Sequence, residues 1–232
     1  MSGMATHVIT GAGSGIGTAV ASRLAERGDE LWLWARDAGR ARDLRERFPG
    51  AHTLTGDLAE PERLSWALGH QRVPDRIDGL LHIAGVVELG PVGELTPKVW
   101  NAVLAANLVA PAELTRLLLP PLRAARGQIV FVNSGAGLRT SPNWGAYAAS
   151  KHGLKALADA VRGEEAANGI RVTSVYPGRT ATPMQAKVHQ QEGRSYDPEQ
   201  WMTPESVAGT VLAALDLPRG SEITDLSVRP GP

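Results

Sequence analysis

The sequence predicts an α/β fold, a single doubly wound domain of parallel strands with helices on both faces. Three observations predict it. Short apolar runs alternate with amphipathic stretches along the chain, several of those runs are apolar at every position, and no linker, repeat or low-complexity segment divides the 232 residues. A strand that is apolar throughout must be covered on both sides, which a parallel sheet wrapped by crossover helices achieves. The length suits one α/β unit with a sizeable core, so 1–232 is expected to be one domain.

Each element follows in order. His7–Thr10 is a short strand running into glycines, and Ile16–Arg27 places Ile16, Val20 and Leu24 on one helical face before stopping at Gly28. Glu30–Ala35 is a second strand, Ala41–Phe48 a second helix and Ala51–Thr55 a third strand. A helix over Pro61–Leu68 leads to the strand GLLHIAG (79–85), and a helix through Trp100–Leu119 leads to QIVFVNS (128–134). A helix from Tyr147 to Asn168 precedes the strand IRVTSVYPG (170–178), and helix Pro204–Leu217 precedes a last strand within SEITDLSVRPGP. Segment 181–203 breaks this rhythm. It is polar and holds Pro183 and Pro198, yet carries Met184, Tyr196 and Trp201, so a substrate lid is expected there, with a solvated connection as the alternative.

Composition narrows the function. The 24 basic and 24 acidic side chains cancel, which leaves no electrostatic footprint for nucleic acid or an anionic membrane; a small-molecule partner is expected. Without cysteine there are no disulfides or thiolate metal sites, and the six histidines (7, 52, 70, 82, 152 and 189) are scattered, so no metal is expected. The amino terminus lacks the parts of a signal peptide. The longest apolar candidate, LTRLLLPPLRAA, is charged and interrupted by Pro120 and Pro121, so no run is expected to reach a bilayer span and the chain reads as cytoplasmic.

Two motifs carry chemistry. After the first strand comes Thr10-Gly11-Ala12-Gly13-Ser14-Gly15-Ile16-Gly17, where glycines let backbone amides approach a phosphate and the following helix presents its positive end. In GAYAASKHG, Tyr147 and Lys151 stand four residues apart, hence on one helical face, as a phenol and an ammonium able to serve one proton.

The Gly-x-x-x-Gly-x-Gly spacing of Gly11, Gly15 and Gly17 after Thr10 resembles the signature of the short-chain dehydrogenase/reductase family, and the resemblance extends over nearly the whole chain. It implies a Rossmann-type sheet of seven parallel strands with a nicotinamide dinucleotide across its carboxyl edge. It further implies that Asn107, Ser134, Tyr147 and Lys151 are catalytic, Tyr147 following Ser134 by the family's thirteen residues. Tyr147 would be the acid, Ser134 would orient the carbonyl, Lys151 would lower the phenol's pKa and hold the nicotinamide ribose, and Asn107 would support a water-mediated proton relay.

The same resemblance assigns cofactor contacts to Gly11, Gly13, Ser14, Gly15, Ile16, Gly17, Arg36, Asp57, Leu58, Ala84 and Gly85. It adds Tyr147, Lys151, Pro177, Gly178, Thr180 and Thr182. In LWLWARD the family's NAD-selecting acid position is the neutral Ala35, and Arg36 follows, so NADP(H) is preferred and NAD(H) is the alternative through Asp37. Arg36 also reads as a solvated strand-end charge, Asp57 equally as a helix-capping acid. Ile83 replaces the asparagine expected before Ala84-Gly85, which leaves local hydrogen bonding open. Leu138, Trp144 and Met184, with the lid aromatics Tyr196 and Trp201, would bound an apolar substrate pocket; Arg139 and His189 are expected on exposed faces. The function implied is an NADPH-dependent carbonyl reductase, with an NAD(P)-dependent secondary-alcohol dehydrogenase and a non-catalytic dinucleotide sensor as alternatives. A homodimer or homotetramer is implied by analogy.

Overall fold

Each apolar run becomes a parallel strand whose alternate side chains enter two separate cores. The computed structural model describes residues 4–231; residues 1–3 and Pro232, the ends of the expected amino-terminal segment and last strand, lie outside it. The strands are β1 (Thr6–Thr10), β2 (Glu30–Ala35), β3 (His52–Thr55), β4 (Gly79–His82), β5 (Gln128–Val132), β6 (Arg171–Pro177) and β7 (Asp225–Val228). They form one sheet in the order β3-β2-β1-β4-β5-β6-β7, parallel throughout. Ile9, Leu33, Leu81, Val130 and Val175 face one core, and Val8, Trp32, Trp34, Leu80, Ile129 and Phe131 face the other.

The helices divide the same way. On the first face lie α1 (Gly15–Glu26), α2 (Ala38–Arg47) and the later α8 (Pro204–Leu215), contributing Val20, Leu24, Leu44, Val207 and Val211. On the second lie α3 (Leu64–Gly69), α5 (Ala110–Ala125) and α6 (Gly145–Glu165), contributing Leu64, Leu114, Leu118, Leu154 and Ala158. Helix α4 (Pro97–Leu104) joins α5 through a π-turn, and α7 (Pro183–Gln191) stands apart near the sheet's carboxyl edge. The winding reverses between β1 and β4, so the loops leaving those strands splay apart and open a crevice at that edge.

Two expectations need correction. The helix expected to stop at Leu119 runs from Pro97 through Ala125, past Pro120 and Pro121. Each interior proline costs about 3 kcal/mol, but Leu114, Leu118 and Leu122 are fully buried on one stripe of α5, and each such side chain contributes about 1.5–3 kcal/mol. Packing therefore carries the helix through, and the Pro121 carbonyl finds its donor in the Ile77 amide, 3.1 Å away. The resulting Pro97–Ala125 helix is long and apolar enough to cross a membrane, contrary to the expectation from sequence; its inner stripe packs on the sheet. Segment 181–203 contains α7 and a short 3-10 helix, Pro198–Gln200. Thr182 caps α7 through its Oγ1, and a bridge between Thr180 and Met202 closes the base of the segment.

His82 ends β4 in complete burial. Its ring stacks on Phe131 with centroids 4.9 Å apart, and its Nε2 lies 3.0 Å from the Thr115 hydroxyl. Burial pushes its pKa down to about 3. Because this folded value lies below the ordinary one, the unfolded chain binds the extra proton, and stability falls as pH drops from about 6.5 toward 3. The expected slope is about 1.4 kcal/mol per pH unit. Urea titrations between pH 7 and pH 4 should show that slope in the natural protein and its loss in the apolar pair His82→Leu/Thr115→Val.

Candidate active site

The crevice is a cavity of about 480 Å³, and the glycine turn forms one wall of it. Gly11 has φ +79°, and a Cβ there would meet the Ala84 amide at 2.8 Å; one at Gly17 would run into the Gly11 carbonyl. Only glycine permits this approach of the turn to β4 and of α1 to the turn. Ser14 precedes α1 with extended backbone and no side-chain cap, so the first amides of a twelve-residue helix are left to an outside acceptor. That arrangement fits the pyrophosphate of a dinucleotide. Gly13 has open space where a Cβ would stand, and Thr182 packs its methyl against Gly15 from the α7 side.

Thr10 ties this wall to the next strand. Its hydroxyl accepts from the amides of Ile83 (3.0 Å) and Ala84 (3.1 Å) and donates to the Leu81 carbonyl at 3.4 Å. Ile83 itself packs against the first core. The backbone beyond β4 is thus held without the missing asparagine.

The opposite wall is built by β5 and α6. Ala146, Tyr147, Ser150, Lys151, Leu154, Ala158 and Val161 are the buried stripe of α6. Tyr147 and Lys151 are therefore the upper end of the face that docks the helix on the sheet. Tyr147 and Ser134 share this wall. Lys151 donates to the Val132 carbonyl at 3.1 Å, with its Nζ 5.9 Å from the centre of the Tyr147 ring. The expectation that Lys151 lowers the tyrosine's pKa is corrected: burial pushes the phenol up, and the neighbouring Ser134 hydroxyl pulls it partly back. Burial likewise pushes Lys151 down, to about 8. Desolvation outweighs the charge because both groups leave water on the same stripe.

Asn107 sits in the π-turn Ala105–Val109, where one extra residue per turn directs its side chain at the loop after β4. Its amide accepts from Val86 N (2.8 Å) and donates to Val86 O (2.8 Å) and to Ser150 Oγ (3.0 Å). Both amide hydrogens are taken by protein partners and Oδ1 accepts one bond, so Asn107 anchors the loop after β4 beside the cavity. Gly85 lies between Asn107 and Lys151: a Cβ there would be 3.2 Å from Asn107 Oδ1 and 3.7 Å from Lys151 Nζ.

The remaining expected residues divide. Gly11, Ser14, Gly15, Ile16, Gly17, Ala84 and Gly85 line the cavity together with Ser134, Tyr147 and Lys151. Pro177, Gly178, Thr180, Thr182, Trp144 and Met184 complete that shared wall. Gly13, Arg36, Asp57 and Leu58 lie outside it. Arg36 is exposed with its Nε 3.4 Å from Asp37, Asp57 caps a turn by accepting from Ala59 N at 2.9 Å, and Leu58 packs on the second core. Leu138 is 40% exposed and outside the wall, whereas its neighbour Arg139 is part of it. His189 is buried rather than exposed, packed between Tyr196 and Trp201 at centroid distances of 5.2 and 5.4 Å. Those two aromatics do not line the cavity.

Sequence reasoning missed four residues. Arg179 and Arg229 join the wall from the ends of β6 and β7, and Arg47 reaches from α2 toward the Gly13 carbonyl at 3.5 Å. Asn133 is buried, accepts from Ser134 N at 2.9 Å and donates to the Lys151 carbonyl at 3.0 Å. It clamps the serine's strand end to the tyrosine's helix. Its position beside Ser134 in VFVNSGAG was the available signal. Asn133→Ala should cost about 1–3 kcal/mol of stability by leaving a buried carbonyl unpaired. It should also lower kcat while leaving dinucleotide affinity in calorimetry unchanged.

Comparison with known proteins follows the same lines. A family model for short chain dehydrogenase matches residues 5–193. Dehydrogenase/reductase SDR family member 7B of Bos taurus is 32% identical over 91% of this chain and 70% of its own length. Glycine betaine reductase ATRR of Emericella nidulans is 31% identical over 96% of this chain, which spans only 18% of that larger protein. Among solved structures, a short chain dehydrogenase from Shigella flexneri complexed with NADP superposes with a TM-score of 0.82 at 29% identity, covering 96% of each chain.

Proposed function

The chain belongs to the short-chain dehydrogenase/reductase family, whose members are NAD(P)-dependent oxidoreductases of CH–OH and carbonyl groups, and we propose that it is an NADPH-dependent reductase of a ketone or aldehyde. The observation that carries this reading is the meeting of Ser134, Tyr147 and Lys151 on one wall of a cavity whose other wall is an uncapped helix end behind a glycine turn. A protein that only senses a dinucleotide needs the turn but not the buried phenol.

The uncapped amides of α1 would hold the pyrophosphate, Lys151 a ribose, and the Pro177–Thr182 turn the nicotinamide. When bound, the nicotinamide supplies the hydride. Ser134 donates a hydrogen bond to the substrate oxygen and fixes it beside Tyr147. Tyr147 gives that oxygen its proton as negative charge develops there, and a phenol held above its ordinary pKa stays protonated at neutral pH, the state that reduction requires. Lys151 then faces the phenolate as a nearby cation. Val87, Trp144, Met184 and Val188 keep the reacting oxygen among apolar groups and away from water. The lid role of 181–203 belongs to this reading: α7 lies along the cavity and is latched to the opposite loop by Lys187 and Gln191, both bonded to Glu88.

Two features support NADP(H) over NAD(H). Position 35 is Ala, buried at the end of β2, so no carboxylate repels a 2′-phosphate. Asp37 is spent as the α2 cap, accepting from Arg40 N at 2.9 Å, which leaves Arg36 as the exposed group able to meet that phosphate.

Calorimetry with the two cofactors should give tighter binding of NADPH than NADH, with the difference collapsing in Arg36→Ala. Tyr147→Phe should keep NADPH affinity and lose about 10²–10⁴ in kcat for carbonyl reduction; unchanged turnover would remove Tyr147 as the acid. Reduction also requires charged Lys151. Its pKa is lowered, so the charge is lost at a lower pH than usual, and kcat/KM should fall as pH rises through about 8. In Lys151→Arg, whose guanidinium stays charged, that alkaline limb should disappear from the profile.

A further inference from the structure

The wall of the cavity carries four cations, Arg139, Lys151, Arg179 and Arg229, and among the described residues no carboxylate. This imbalance contrasts with a chain whose total charge is zero. Lys151 already has a task. Arg179 is neutralised, because its Nη2 bonds both oxygens of Glu192 at 2.7 and 2.9 Å while its plane rests over Trp201. The side chains of Arg139 and Arg229, both at the solvent-exposed mouth of the cavity, have no hydrogen bond or ion pair among the described residues. Two guanidinium groups are thus left facing one cavity without an anion.

Their position separates them from the pyrophosphate cradle. The stem of Arg229 crosses Gly178, with its Cδ 3.4 Å from where a Cβ would stand. Its head lies over Gly135, the residue after Ser134, so closely that Nη1 would be the first atom a Cβ there would strike. Arg139 follows the short helix Gly135–Gly137, and its amide bonds the Gly135 carbonyl at 3.1 Å. Both charges therefore belong to the Ser134 side. The cradle lies at the other end of the same turn, where Thr182 touches Gly15.

We propose that the substrate carries a carboxylate besides its carbonyl, bound by Arg229 with Arg139. The protein is then a reductase of oxo acids, the Val87, Trp144, Met184 and Val188 wall taking the apolar carbons between the two groups. A guanidinium fork matches a carboxylate in two parallel bonds, and a site without competing acids makes that pairing selective. This inference rests on the reductase reading and keeps its balance: the carbonyl carbon gains a hydride from NADPH, the oxygen gains the Tyr147 proton, NADP⁺ and a hydroxy acid leave, and the carboxylate is unchanged.

The test compares 4-oxopentanoate, 5-oxohexanoate and phenylglyoxylate with their methyl esters, using NADPH and the full chain. For at least one pair the acid should exceed its ester in kcat/KM by about tenfold or more, and the ratio should collapse toward one in Arg229→Gln through a raised KM. Arg139→Gln should lower it in the same direction. Equal turnover of acid and ester by the natural protein would overturn the proposal, as would an Arg229→Gln variant whose NADPH affinity falls in parallel, which would give the arginine to the cofactor. Should no carbonyl be turned over at all, the reductase reading fails separately. Calorimetry of hexanoate against hexanamide on the protein–NADP⁺ complex then decides: carboxylate-selective binding lost in Arg229→Gln upholds the anion site, and no selectivity removes it.

Discussion

One hydroxyl group holds the reversal of the sheet's winding in place. Thr10 ends β1 where β4 runs beside it, and its single oxygen accepts from two successive amides of the chain leaving β4 while donating to the Leu81 carbonyl. All three hydrogen-bonding valences of the hydroxyl are used in a place where water is excluded. The glycine turn leaves in one direction and Ala84-Gly85 in the other, and the space between them is the cavity. The close approach of Gly11 to Ala84 depends on the same anchor.

The geometry of the Tyr147 and Lys151 wall is an extension of core packing. Tyr147 and Lys151 continue the stripe that Leu154, Ala158 and Val161 bury against the sheet, so the rotation of α6 that seats the core also aims the phenol. Asn133 and Asn107 fix the neighbouring parts with their amides, one tying Ser134 to the backbone of Lys151, the other tying the loop after β4 to the π-turn. Both amides are buried, and an unpaired polar group there would cost more than either hydrogen bond contributes in isolation. The wall that carries Tyr147 and Lys151 is thus tied at several points. The α7 wall is held at its base by the Thr180–Met202 bridge and along its length by the Lys187–Glu88 and Arg179–Glu192 ion pairs.

Burial also sets the charge states. The phenol is pushed up and the ammonium down by the same cause, loss of solvent, and this suits a group that must arrive protonated at the substrate. The cationic lining around Ser134 exists in a chain of zero formal charge because the acids that balance it lie outside the cavity wall, several of them paired within helices.

The sequence by itself determined the strands, their parallel pairing and the glycine turn, because continuous apolar runs and forced positive φ leave few alternatives. It also determined that Tyr147 and Lys151 share a face, since helical periodicity is local. Tertiary structure alone decided what was not local. Helix α5 passes two prolines because three leucines dock on the sheet, a gain that only the assembled core provides. Asn107 became an anchor because the π-turn that contains it sets its amide against Val86. The sign of the tyrosine's pKa shift followed from desolvation, which depends on everything packed around it and on nothing in its own heptapeptide. Arg229 reached Gly135 because β7 pairs with β6 and sets residue 229 beside Gly178, a neighbourhood made by pairing residues 51 positions apart, such as Pro177 with Val228.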